Sequence, residues 1–171
     1  MAIRAAVLAV NFDWEGLYDR HAGELLGYLA KLVGDRERAS ELMQDTFVRA
    51  FRSDHTIREP AAVRGWLFET ATNLALNDRR RRALFRFIPF SGAERAPGDV
   101  FDVGAEHVRA SLRSLSSDEA VALLLRYHAG FSRSEIAAIV GTGEETVKSR
   151  LARGRKNFMA AYRRLERGLA R

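Results

Sequence analysis

The sequence predicts an all-α protein: two small helical domains joined by a linker, the C-terminal one containing a helix-turn-helix. Three observations carry this. Apolar residues recur at spacings of three and four through most of the chain, and no period-two run appears. Residues 83–104, ALFRFIPFSGAERAPGDVFDVG, abandon that period and hold two of the three prolines. The 171 residues, 47% of them apolar, suffice for two modest cores of about 80 residues each.

The elements follow in order. Leu17, Leu25, Tyr28, Leu29 and Leu32 line one face of a helix of about 18 residues. Gly34-Asp35 ends it and caps the next. Ala39, Leu42, Met43, Phe47, Ala50 and Phe51 form a second apolar stripe. The polar stretch SDHTIREPAAVRG, stiffened by Pro60, leads to a third stripe of Trp66, Leu67, Ala71 and Leu74, with Trp66 read as core. That helix ends in the run Arg79-Arg80-Arg81-Arg82. The domain bounds are therefore 1–82 and 107–171, with 83–106 as linker. The linker's aromatic start (Phe85, Phe87, Phe90) either packs back onto a domain or meets a partner. Beyond it, Ser116-x-x-Glu119, Ser132-x-x-Glu135 and Thr142-x-x-Glu145 read as three capping boxes, each ahead of an apolar stripe.

Composition excludes much. Without cysteine there are no disulfides, Cys-containing zinc sites or thiol nucleophiles. The four histidines are far apart, and no Gly-rich phosphate loop or paired carboxylates occur, so no metal, cofactor or catalytic centre is expected. No apolar run approaches the ~20 residues of a membrane span, and AIRAAVLAV is too short for a signal peptide, so a cytoplasmic protein without stable membrane insertion is expected. The net charge of +6 suggests an anionic partner. Much of that excess lies in Arg79–Arg82 and between Lys148 and Lys156.

Residues 132–157 read as a short helix, a tight turn at Gly141-Thr142-Gly143, and a longer helix from about Glu144. This is the spacing in which the second helix enters a DNA major groove. On that helix Val147, Leu151 and Phe158 face the core, leaving Lys148, Ser149, Ala152, Arg153 and Lys156 outward, with Arg150 and Arg155 flanking. Arg and Lys suit base edges and phosphates alike.

GFSRSEIAAIVGTGEETVKSRLARGRKNF closely resembles the promoter-binding C-terminal domain of sigma-70-family factors. LYDRHAGELLGYLAKLVGDRERASELMQDTFVRAFR resembles the family's first domain, and RGWLFETATNLALNDRRRR its −10-engaging helix. The middle domain of housekeeping factors is replaced by the linker, which is the extracytoplasmic-function (ECF) arrangement. The resemblance implies an alternative sigma factor whose partners are core RNA polymerase, promoter DNA (duplex at −35, unpaired non-template strand at −10) and an anti-sigma factor. It implies polymerase docking by Glu41, Gln44, Asp45, Val48 and Arg49. It places Asn73, Asn77, Arg79, Arg81 and Arg82 at the −10 element, with a base pocket between loop 53–64 and the Trp66 helix. It places Lys148, Ser149, Ala152 and Arg153 in the −35 groove, Arg153 on a guanine, with Thr146, Arg150 and Arg155 on phosphates. The sequence departs from the family at Ile57, Val63, Glu144 and Glu145. Either glutamate is expected to read a cytosine amine or to set promoter strictness. The competing readings are a sigma-like decoy for an anti-sigma factor and a helix-turn-helix regulator independent of polymerase.

Overall fold

The computed structural model describes residues 13–52, 62–85 and 103–169, which form seven α-helices and no strand. Helix α1 (Trp14–Val33) starts at Asp13, whose carboxylate accepts the Gly16 N–H at 2.9 Å. It ends at Gly34, whose φ of 77° is open to glycine and strained for residues with a Cβ. Helix α2 (Arg36–Arg52) is capped by Asp35, which accepts the Arg38 N–H at 3.0 Å. Helix α3 (Val63–Phe85) packs across both.

All five residues of the predicted α1 face are buried. Tyr28 stacks at a tilt on Phe68, 5.2 Å between centroids. Its hydroxyl lies 2.7 Å from Thr72 Oγ1, which already donates to the Phe68 carbonyl, so Tyr28 is the donor. A smaller cluster of Leu17, Ala50, Val63 and Leu67 is flanked by Trp14, Phe47 and Trp66. Val63 is fully buried here. Phe51 corrects the α2 stripe: it is 62% exposed and meets the edge of Trp14. It shares the outer side of the helix with Gln44 and Val48, because 100° per residue carries it away from Leu42 and Ala50.

The second unit comprises α4 (Val103–Arg113), α5 (Ser117–Tyr127), α6 (Arg133–Val140) and α7 (Glu144–Leu169). Helices thus reach into both ends of the expected linker 83–106; Phe87 and Phe90, like Ile57 and Pro60, lie outside the described residues. The capping boxes at Ser116–Glu119 and Ser132–Glu135 form. The third does not. Gly141 turns left-handed with φ of 64°, the Thr142 N–H donates to the Ala137 carbonyl at 3.0 Å and the Gly141 N–H to Ala138 at 3.3 Å. This closure uses Thr142 to finish α6, so Gly143 starts α7 by accepting from Thr146 at 3.0 Å and Val147 at 3.1 Å. Glu145 turns instead to Lys148, 3.1 Å away.

Gly154 sits inside α7, where glycine costs about 1 kcal/mol relative to alanine. The reason is contact with α5: a Cβ there would lie 3.2 Å from Leu123 Cγ and 3.3 Å from Glu119 Cβ. Glu119 also accepts from Asn157 at 3.1 Å, tying the start of α5 to the middle of α7. The cores of the two units are continuous, joined where Phe131, after α5, meets Phe68 edge-on at 5.0 Å.

His128 lies where the units meet, against Gly27 of α1, and His21 lies on α1 near Glu24 and Arg64. Partial burial pushes both below the usual histidine range; Arg64 and Arg20 add to this at His21 and Lys31 at His128, while Glu24 opposes it at both. A histidine whose folded pKa is depressed contributes fully above its unfolded value of 6.5 and loses that contribution as pH falls below it. The urea midpoint is therefore expected to fall modestly from pH 7.5 to 5.5. His21→Gln with His128→Gln should flatten the fall, as equilibrium unfolding at the two pH values would show.

Candidate nucleic-acid interface

Helix α7 presents one long face to solvent. Thr146, Lys148, Ser149, Ala152, Arg153, Arg155 and Lys156 are all exposed, while Val147, Leu151 and Gly154 are buried. The helix is held down by Val147 and Leu151 against the α5 and α6 core, so the outward face is presented rigidly. Lys148 pairs with Glu145, but both are exposed, and such pairs are worth about 0–1 kcal/mol, so a phosphate or base can displace the carboxylate.

Arg150 stands apart from the other expected −35 residues. Its guanidinium is half-buried and lies 2.6 Å from the Asp118 carboxylate at the start of α5. It points to the α5 side because it lies about 200° round the helix from Lys148. It staples α7 to α5 and does not share the exposed basic face.

Three residues outside the sequence-derived set join that face. Arg126 and Tyr127, at the end of α5, and Arg133, at the start of α6, line an open cleft of about 220 Å³ with Lys148, Leu151 and Arg155. Tyr127 is 62% exposed and its hydroxyl accepts from Arg155 at 3.4 Å. Arg126 donates to the Phe131 carbonyl at 2.9 Å, which closes the α5–α6 turn. The sequence signal was their placement at the helix ends flanking the turn, which a reading confined to the second helix passes over.

The other two residue sets sit on the first unit. Asn73 and Asn77 are exposed one turn apart on α3, with Arg80 donating to the Asn77 carbonyl oxygen at 3.4 Å. Trp66 is half-buried on the same side of α3, two turns before Asn73, so it is only partly the core residue expected. Arg81 is exposed and Arg79 half-buried. Arg82 is engaged within the fold, 2.9 Å from Asp78 and 3.8 Å from Asp35. Asp78 in turn accepts two N–H groups from Arg38 at 2.9 and 2.7 Å, so this network locks α2 to α3. The expected base pocket includes residues 53–61, which lie outside the described residues.

On α2, Glu41, Gln44, Asp45, Val48 and Arg49 are all exposed and run along one side. Val48 is 47% and Phe51 62% exposed, an apolar strip among charges. Glu41 pairs with Arg38.

If the α7 face binds duplex DNA, binding by the full chain should weaken with salt by about 0.9 log unit per log unit of salt for each neutralised phosphate. Fluorescence anisotropy across a salt series measures this; a flat response excludes a phosphate-reading face.

A helical unit with a helix-turn-helix and an exposed basic second helix, packed on a second helical unit, defines an all-α helix-turn-helix protein. Two family patterns match in order: Sigma-70 region 2 over residues 17–85, and Sigma-70, region 4 over residues 106–158. The chain is 34% identical over 143 residues to the ECF RNA polymerase sigma factor SigL of Mycobacterium tuberculosis, covering 79% of this chain and 80% of the relative. It is 31% identical over 165 residues to the RNA polymerase sigma factor YlaC of Bacillus subtilis, covering 90% and 95%. Among solved structures, the fold resembles the sigma factor RpoE of Bartonella quintana, crystallised with the anti-sigma factor NepR. The TM-score is 0.76 at 22% identity, over 88% of this chain and 97% of that one. It also resembles CnrH, solved with the cytosolic domain of CnrY, with a TM-score of 0.65 at 24% identity over 86% and 85%. The chain belongs to the sigma-70 family and, within it, is a sigma factor of the ECF group.

Proposed function

We propose that this sigma factor directs core RNA polymerase to promoters through three separate faces and contributes no catalytic residue of its own. The observation that carries the reading is the α7 face, where Lys148, Ser149, Ala152 and Arg153 stand outward on a helix anchored by Val147 and Leu151. This face reads the −35 duplex. Arg153 takes a guanine through its fork, and Thr146, Arg155, Arg126, Tyr127 and Arg133 hold phosphates around it. Arg150 contributes by anchoring the helix. Glu144 and Glu145, at the helix start beside Lys148, set which −35 sequences are accepted.

On α3, Asn73 and Asn77 read unpaired bases of the −10 element, with Arg79 and Arg81 on the backbone and Trp66 beside them as a stacking surface. On α2, Gln44, Asp45, Glu41 and Arg49 pair with charged and polar groups of a polymerase helix, and Val48 with Phe51 supplies apolar contact. An anti-sigma factor occupies the chain when initiation is withheld. No helix among the described residues is long and apolar enough to cross a membrane, and the proposed work is cytoplasmic.

In-vitro transcription with core polymerase on a promoter library tests this directly. Transcripts from templates sharing two spaced elements support the reading. Duplex binding without transcripts points to a polymerase-independent regulator. Binding of an anti-sigma factor with neither activity points to a decoy.

A further inference from the structure

The chain draws nearly all of its positive charge from arginine. Of its 28 Lys and Arg residues only three are lysine, Lys31, Lys148 and Lys156, and all three are exposed. The difference matters chemically. A guanidinium stays charged at every physiological pH, whereas a lysine amine can be acylated and then carries no charge. Two of these three removable charges stand on the outer face of α7.

The three lysines sit in different surroundings. Lys31, near the end of α1, donates to the Gly27 carbonyl of its own helix at 3.5 Å. Lys156 stands outward about two turns beyond Lys148 and is not part of the cleft beside it. Lys148 lines that open cleft of about 220 Å³ together with Arg126, Arg133 and Arg155. Its counter-ion Glu145 lies 3.1 Å away, and an exposed pair of this kind holds the amine only weakly. Arg126 spends one N–H on the Phe131 carbonyl and Arg155 one on the Tyr127 hydroxyl. A guanidinium has five N–H donors, so most of theirs remain for a ligand. Three guanidiniums round a concave site form a donor set suited to a small phosphate-bearing molecule. The Lys148 amine is a nucleophile on the wall of the same site.

We propose that Lys148 is an acylation site whose donor is an acyl phosphate, held through its phosphate by Arg126, Arg133 and Arg155. The uncharged Nζ amine attacks the acyl carbon. A C–N bond forms, the C–O bond to the phosphate breaks, and inorganic phosphate leaves with the electron pair and takes up the amine proton. Nothing is oxidised or reduced. The resulting amide is neutral, so Glu145 is left on the α7 face without its cation. The consequence for DNA binding rests on the −35 reading above; the modification itself rests on the cleft.

Acetyl phosphate is the probe, used on the full-length protein, with each lysine followed over time by peptide mass spectrometry. Lys148 should be acetylated about fivefold faster than Lys31 and Lys156, the factor expected of one exposed guanidinium–phosphate pair. Inorganic phosphate, with ionic strength held constant by chloride, should slow Lys148 and leave the other two unchanged. Arg133→Gln should bring Lys148 down towards the rate of Lys156, with circular dichroism confirming retained helix. Equal rates at the three lysines overturn the proposal. So does a Lys148 rate indifferent to inorganic phosphate. Fluorescence anisotropy on a −35 duplex reads the consequence separately. Acetyl phosphate treatment should flatten the salt slope of the parent by about one unit and leave that of Lys148→Arg nearly unchanged. Selective acetylation of Lys148 with an unaltered slope removes Lys148 from the DNA-reading face and leaves the acylation site standing.

Discussion

Arg153→Ala is expected to weaken binding to a −35 duplex by roughly 5- to 150-fold, the loss of one bidentate base contact worth about 1–3 kcal/mol. Arg153 is exposed on the outer face of α7, one turn from Ser149, with Ala152 beside it, so its fork has a clear path into a groove. The loss should be uneven across sequences. A base contact specifies and a phosphate contact positions, so preference should relax at one base pair of the element. Arg155→Ala should weaken all sequences about equally and flatten the salt slope by about one unit. Arg150→Ala supplies the contrast. Its guanidinium is held 2.6 Å from Asp118, so its removal should lower thermal stability slightly and leave base preference intact. Anisotropy titrations with single-base variants of the duplex, beside thermal melts, resolve the three patterns. Equal base-specific losses for Arg150 and Arg153 would contradict the assignment.

Phe68→Ala is expected to cost about 3–5 kcal/mol of unfolding free energy. Phe68 is wholly buried, 5.2 Å from the Tyr28 ring on one side and 5.0 Å from the Phe131 ring on the other. Removing it empties the place where the two cores meet, and the rigid helices on each side relax only partly. Typical domains hold about 5–15 kcal/mol in total, so the variant should unfold at a much lower urea concentration. Phe51→Ala removes the same ring from a 62% exposed site and should change stability by less than about 0.5 kcal/mol. If α2 docks on polymerase, that second variant should instead weaken core binding. Urea titrations and core-polymerase pull-downs of both proteins check the pair. Near-equal stability losses would mean that the Phe68 ring is not the keystone its packing indicates.

Much of this was legible residue by residue. The α1 face from Leu17 to Leu32, the caps at Asp35, Ser116 and Ser132, and the outward face of α7 all follow from helical period and local hydrogen bonding. Those signals act within one or two turns, so a linear reading captures them. The Thr142 box misled because the same residue has two local uses, and the left-handed Gly141 committed it to ending α6. Phe51 misled because an aromatic residue near an apolar stripe was counted into it although its angle lay outside.

The sequence alone determined the fold class, the order of the helices, the helix-turn-helix and the excess of positive charge, because spacing, caps and composition are properties of neighbouring residues. Only the tertiary structure decided which charges remain available and how the two units meet. Arg82 and Arg150 read like their neighbours in the chain, yet Asp78 and Asp118 hold them in place. Arg64 carries no local motif, yet it bridges Glu24, Ala129 and Phe131. A charge's partner is set by distance in space: Arg150 and Arg64 find theirs on other elements, where periodicity along the chain holds no information about it, whereas Arg82 meets Asp78 one turn back on its own helix and is tied to the rest of the fold through Asp35.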